Sequence, residues 1–341
     1  MLQSAQRPVQ AQNNPFAGAR LYIDPLSEAR RQEELWRTSR PEDAAQLEKI
    51  ALRPQADWFG DWNQDVEADV KRRVTTINEA AALPLLVAYN IPARHCSGSA
   101  EGGAHTAEEY RRWIRAFAAG IGDRPAVIIL EPDALAAIDC LPVAEQQTRL
   151  DLLRDAVDVL MTLPATSVYI DAGNSAWVPL TTIVARLRAV GMARVTGFAL
   201  NVANYRFSAD EIAYGREISA RVGGKHFVID TSRNGLGPAP GDQQGTPWCN
   251  PPGRALGFAP TAITGEEQLD AYLWIKRPGQ SDGECNGGPP AGDWWSEYAL
   301  ELARAKDTAA SGCQTPLPTP ISERPFAMAL PRAARAIRCG V

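Results

Sequence analysis

An α/β fold with a parallel sheet is what the sequence predicts, and three observations predict it. Seven short apolar runs that read as strands alternate with helical patterns along the 341 residues. Several runs are almost continuously apolar, as expected of parallel strands covered on both faces. Three of them end in acids: Ala126-Val127-Ile128-Ile129-Leu130 runs into Glu131-Pro132-Asp133, Val168-Tyr169-Ile170 into Asp171, and Phe227-Val228-Ile229 into Asp230. Such folds keep their active sites at the carboxyl ends of strands, so these acids are candidates for chemistry, although an acid there can equally cap the following helix. Alternation alone allows either a β/α barrel or a doubly wound sheet.

Taken in order, residues 1–18 are polar and rich in Gln, Asn and Pro, an arm leading into the barrel-sized domain of residues 19–312. The first strand is predicted at 19–23, followed by helical patterns over 27–52, in two pieces interrupted by Pro41, and over 64–81. Strands at 85–90, 126–131, 167–171, 195–200 and 226–230 then alternate with helices at 106–120, 143–162, 178–190 and 208–222. The Gly- and Pro-rich connection from Thr231 to Pro260, which contains Trp248, is long enough to expect a function in it. A seventh strand at 271–275 and a last helix at 294–306 complete the domain, and residues 313–341 form a C-terminal extension with a Pro-rich strap.

Composition excludes several classes. The net charge is only -5 and the basic residues are scattered, so no nucleic-acid partner is expected; nor is any apolar run long enough to cross a bilayer. The expectation is a monomer without a membrane partner. No cofactor and no metal are predicted: His95, His105 and His226 form no helical H-x-x-x-H pair, the cysteines have no zinc spacing, and phosphate-loop and G-x-S-x-G signatures are absent. Six cysteines suit an oxidising, extracellular compartment, although no signal peptide is visible at Met1. Pairing in chain order, Cys96 with Cys140, Cys249 with Cys285 and Cys313 with Cys339, is one of fifteen possibilities.

Of nine tryptophans, Trp36 and Trp113 lie on helical stripes and read as core, whereas Trp62, Trp177, Trp248 and Trp274 lie near strand ends or in Gly/Pro loops. A loop indole offers a flat apolar face to a sugar ring. Carboxylates complete such a site, because glycosidic cleavage needs one protonated acid at the leaving oxygen and a second group to handle the nucleophile or its proton. Asp133, Asp171 and Asp282 are the acids available, although Asp282-Gly283 is also a common turn pair.

In matching order the chain carries Asn14-Pro15-Phe16, Tyr89-Asn90-Ile91-Pro92-Ala93-Arg94 followed by Cys96, Glu131-Pro132-Asp133-Ala134-Leu135, and Tyr169-Ile170-Asp171-Ala172-Gly173 with Trp177. Asn201-Val202-Ala203-Asn204-Tyr205, Asp230-Thr231-Ser232-Arg233-Asn234-Gly235, Trp248-Cys249-Asn250 and Lys276 through Gly283 follow. Together these runs resemble glycoside hydrolase family 6, the inverting β-1,4-glucanases. The resemblance implies a distorted seven-stranded parallel β/α barrel (TIM-like), with a β-glucan lying across the carboxyl ends of the strands. It implies Asp133 as catalytic acid, Asp171 as an acid that aids binding and the charge pattern, Asp282 as base, and Tyr89 beside the distorted sugar. Lys276 and Trp248 match sugar-contacting positions and Trp177 a stacking platform; Trp62, Asn201, Asn204 and Gln280 complete the expected substrate-binding set. Two disulfides are implied, Cys96–Cys140 and Cys249–Cys285, while Cys313 and Cys339 lie outside the resemblance.

Three departures stand out. His95 occupies the place of an Asp that serves proton transfer, Gln280 that of a Glu, and Asn174 that of a common His. His95 is expected beside Asp133, where a neutral imidazole could accept a proton and a cationic one would lower the acid's pKa. The reading that competes with an active endoglucanase is therefore a catalytically weak or inactive carbohydrate-binding relative. Only a few residues separate Asp282 from the helix near Trp294, which predicts an open cleft and endo attack rather than a closed tunnel.

Overall fold

The computed structural model describes residues 14–94, 102–240 and 248–305. Seven strands, β1 (Asp57–Phe59), β2 (Leu85–Ala88), β3 (Ala126–Leu130), β4 (Thr166–Asp171), β5 (Gly197–Leu200), β6 (His226–Asp230) and β7 (Leu269–Leu273), pair in parallel in chain order. Eight α-helices accompany them among the described residues: α1 (Glu28–Trp36), α2 (Pro41–Ala51), α3 (Val66–Glu79), α4 (Ala107–Ile121), α5 (Val143–Leu160), α6 (Leu180–Ala189), α7 (Ser208–Arg221) and α8 (Ser296–Arg304). Pro41 opens α2, where a missing N–H costs nothing, and that is why the 27–52 pattern divides there.

Strand pleating explains the continuous apolar runs. Leu85, Val87, Val127, Ile129, Tyr169, Ala199, Val228, Ala271 and Leu273 point into the curl of the sheet and pack on one another. Their neighbours Leu86, Ile128, Leu130, Val168, Ile170, Phe198, Phe227 and Ile229 face outward to the helices, where Tyr110, Ile114, Phe117 and Ile121 form the buried stripe of α4. Truncating a fully buried residue such as Phe117 to Ala should cost about 3–5 kcal/mol. Trp113 stacks on Tyr110 and Phe117 against this layer, and Trp36 packs with the smaller cluster under α1, α2 and α8, both as expected of helical-stripe tryptophans.

The curl is a barrel with a seam. No ladder joins β7 to β1 among the described residues; Ala56 N–H donates to the Trp274 carbonyl at 3.0 Å, and the Trp58 indole donates to the Ile275 carbonyl at 2.8 Å. Asp57, shared by Arg73 and Arg277, ties the same edge. At the amino ends of the strands, Phe16 enters the inner cluster 6.0 Å from the Tyr169 ring, and Asn14 Nδ2 donates to the Asp270 carbonyl at 2.8 Å. Asp270 itself accepts from Tyr169 Oη at 2.6 Å and pairs with His226 at 2.8 Å. That end is thereby filled, which leaves the carboxyl ends for a site.

One predicted strand is corrected. Residues 19–23 make only a single parallel bridge, Leu21 to Leu83, and the first strand is Asp57–Phe59, which pairs with Leu86–Ala88. Three residues are too few to display a period, so only their pairing with β2 identifies them. The other six strands fall within two residues of expectation. Cys249 and Cys285 form a disulfide; Cys140 is also disulfide-bonded, to a partner outside the described residues. His95, Cys96 and the whole C-terminal extension with Cys313 and Cys339 lie outside them too.

Candidate active site

Each strand-end acid secures a neighbouring loop. The Glu131 carboxylate accepts from the backbone N–H groups of Asn90 and Ile91, all at 3.0 Å, and so holds the loop after β2. Asp171 Oδ1 accepts from Asp133 N at 2.9 Å and Gly173 N at 3.1 Å. Asp230 takes four backbone donors, Ala203 N, Ser232 N, Ile275 N and Lys276 N, within 3.3 Å. None of the three is a helix N-cap. Instead, each acid satisfies N–H groups where the chain leaves the sheet, and these bonds fix the mouth of the barrel.

Left-handed backbone collects at the same rim: Ala93, Glu131, Asp133, Asn201, Ala203 and Asn250 all have φ between 45° and 70°. Such conformations cost non-glycine residues energy and persist where surrounding contacts enforce them. Arg149, 2% exposed, supplies one such contact by donating to the carbonyls of Pro92, Ala93 and Ala134, which locks the β2 loop to the β3 loop.

Asp133 and Asp171 are neighbours on the β3–β4 side. Burial pushes Asp133 up to about 6, with help from the Asp282 charge and against the pull of Lys276. Asp171 is raised well above the usual carboxylate range by burial and by Asp133, and its Oδ2 has no hydrogen-bond partner among the described residues. The pair thus retains a proton into the weakly acidic range.

Asp282 stands in the opposite environment. Arg233 donates to it at 2.7 Å and Lys276 pairs with it at 3.1 Å; Asn250 N–H and Tyr205 Oη add donors at 3.0 and 3.3 Å. Burial alone would raise this carboxyl, but Arg233 and Lys276 outweigh it and bring it down to about 2. The Asn250 side chain accepts from Asp282 N at 2.8 Å, so the disulfide-tethered Trp248-Cys249-Asn250 run grips Asp282 from two sides.

The remaining predicted residues divide by exposure. Trp62, Trp177 and Trp248 are 53%, 42% and 59% exposed, whereas Trp274 is 2% exposed and donates its indole N–H to Phe258 O, a core residue and not a platform. Tyr89 lies edge-on to Trp58 at 5.1 Å, and Arg94 stacks between Tyr89 and Trp62 while pairing with Asp61 at 2.9 Å. Asn201 is wholly buried, spending its amide on the Asp230 carbonyl at 2.8 Å and Arg206 N at 3.0 Å. Half-buried Asn204 donates to Val202 O at 3.0 Å, and Gln280 donates to Glu28 at 2.9 Å. Sequence reasoning gave no role to Arg233, Arg149, Tyr205 or Asn250. Arg233, Asn250 and Tyr205 lay inside the matched runs, and for Arg233 the signal available was a cation three residues after the strand-end Asp230. Among the described residues, no group of three His, Cys, Asp or Glu side chains could hold a metal, and no helix is long and apolar enough to cross a membrane.

Comparison with known proteins places this geometry. Endoglucanase A of Cellulomonas fimi is 48% identical over 286 residues, 83% of this chain, and Endoglucanase A of Thermobispora bispora is 40% identical over 308 residues, 87% of it. The chain spans 60% and 63% of the lengths of those two relatives. The structure of the endoglucanase Cel6 from Mycobacterium tuberculosis, in complex with methyl-cellobiosyl-4-deoxy-4-thio-β-D-cellobioside, is 46% identical. It superposes with a TM-score of 0.79 over 85% of this chain and 98% of that one. The family described as glycosyl hydrolases family 6 matches residues 16–306, and with the seven-stranded parallel barrel and its acid-lined mouth the chain belongs to that family.

Proposed function

We propose that the protein hydrolyses internal β-1,4-glucosidic bonds of cellulose or a related β-glucan with inversion at the anomeric carbon. The observation that carries this reading is two unlike acids at the barrel mouth: Asp282, ion-paired with Arg233 at 2.7 Å and Lys276 at 3.1 Å, which bring it down to about 2, and Asp133, which has no ion pair among the described residues and is raised by burial and the Asp282 charge to about 6. Asp133 supplies the proton to the departing glycosidic oxygen. Asp282 stays charged throughout, stabilises positive charge developing on the sugar ring, and keeps Asp133 protonated by repulsion. So low a proton affinity makes Asp282 a weak base. Its contribution is mainly electrostatic, and the proton of the attacking water leaves through a solvent chain. Asp171 shares the proton of the Asp133 pair, and Tyr89 packs beside the ring being cleaved.

Trp62, Trp177 and Trp248 are the stacking surfaces, and their exposure supports that role. Lys276, Gln280 and Asn204 offer polar contacts around them, while Asn201 acts through the Asp230 loop. Endo attack follows from the short path between Asp282 and Trp294, where Ser281 N–H donates to Asp293 O at 2.9 Å and Gly292 N–H returns to Ser281 O at 3.0 Å. The Cys249–Cys285 bond supports secretion into an oxidising compartment. The competing reading of a silent binding relative rests on His95 alone, and the relatives at 40–48% identity are named as enzymes. Anomer-resolved NMR on a soluble β-glucan tests the mechanism: α-product should appear first, and initial β-product would exclude inversion. Viscosity should fall well ahead of reducing-end release; early dominance of cellobiose with persisting viscosity would exclude endo attack.

A further inference from the structure

The loop after β4, residues 172–179, carries Trp177 and is tied from outside by α7. Ser175 N–H donates to Glu211 Oε1 at 2.9 Å, and Tyr214 Oη donates to the Val178 carbonyl at 2.8 Å. Within the loop, Trp177 N–H donates to Asn174 O at 3.1 Å and Ala176 N–H to Asn174 Oδ1 at 3.1 Å, so the turn is closed on itself but anchored through Ser175. Gly173, at φ +73°, lets the indole lie against the backbone; a Cβ there would meet Ala136 Cβ at 2.8 Å.

Glu211 is fully buried, and its Oε2 has no hydrogen-bond partner among the described residues. An acid in that setting is costly unless its bonding to Ser175 matters. We infer that Glu211 is a positioning residue: through Ser175 it fixes the turn that presents Trp177 to the glucan chain. This rests on the platform role proposed above. Burial pushes Glu211 up to about 7, against Ser175 and Arg206 and with Asp210; Asp171 and Tyr214 also feel its charge. At weakly acidic pH it is accordingly neutral, and Gln is its near isostere.

The test is a double-mutant cycle on cellohexaose. Glu211→Leu should raise KM about tenfold with kcat within about twofold, because uniform binding is lost and not the chemical step. Glu211→Gln, which keeps the acceptor, should restore KM to within about twofold. In a Trp177→Ala background, Glu211→Leu should add less than about twofold, since the two act on one contact. Equal losses in both backgrounds, or a fall in kcat with KM unchanged, would overturn the inference. Should Glu211→Leu not fold, Glu211→Asp, which keeps the carboxyl group but withdraws it from Ser175, carries the same expectations. An unchanged KM in Trp177→Ala alone would overturn the platform reading, and this inference with it.

Discussion

On the β3–β4 side of the barrel mouth, neither Asp133 nor Asp171 forms an ion pair among the described residues, and burial raises both; on the β6–β7 side, the Asp282 side chain is also buried but sits between Arg233 and Lys276 and stays ionised. The same residue type, buried on both sides, thus takes two protonation states, because only one wall supplies cations. Glycosidic cleavage needs that asymmetry, one acid holding a proton and the other unable to.

The largest effect should come from removing the proton donor. Asp133→Asn is expected to lower kcat by at least about 10²-fold on substrates with poor leaving groups, with the fold intact. Measured turnover near normal on β-glucan would dissolve the contrast between the walls.

Taking a cation from the other wall comes next. Arg233→Met leaves a buried carboxylate short of a partner and should cost about 3–5 kcal/mol of stability, read as a drop in Tm. The survivors should lose activity at higher pH on the acid side, since Asp282 then takes up a proton more readily. If the acid limb does not move, Arg233 does not set the state of Asp282.

The pH profile sharpens the comparison without mutation. With Asp133 near 6 and Asp282 near 2, kcat/KM should decline above about pH 6 as the donor is lost and hold on the acid side until well below pH 4. Stability should follow its own sign. Burial raises Glu131 and Glu211 to about 7 from 4.5, so the folded protein binds more protons than the unfolded chain between those values, and stability falls as pH rises through that window. Asp282 works the other way: its contribution is present above its ordinary range and lost as pH falls toward 2. Calorimetry should find a higher Tm at pH 5 than at pH 8; the reverse order would contradict the buried acids.

The smallest effect concerns the tether. Cys249 and Cys285 are 36 residues apart, and opening their bond removes at most about 4 kcal/mol by loop entropy. Cys249→Ser with Cys285→Ser should also loosen Asn250 on Asp282, giving a several-fold loss of kcat/KM smaller than that of Arg233→Met. A tethered and an untethered enzyme with equal activity would show that Asn250 holds its place without the disulfide.

Much of this was legible in the chain because it depends on local pattern. Continuous apolar runs such as 126–130 declared covered parallel strands, Pro41 marked a break in the 27–52 helical pattern, and acids directly after strands were expected at the carboxyl ends of the sheet. Trp62, Trp177 and Trp248 were marked by their loops. Trp274 carried the same mark and proved to be core, because the packing of α1, α2 and α8 over the seam is a long-range matter with no local signature. The three-residue β1 was hidden for the same reason. The pairing of acids with cations was hidden most of all. Asp133 and Asp282 look alike in sequence, and their opposite proton affinities arise only when β6 and β7 bring Arg233 and Lys276 from 49 and 6 residues away onto one carboxylate, in a setting where burial magnifies each charge.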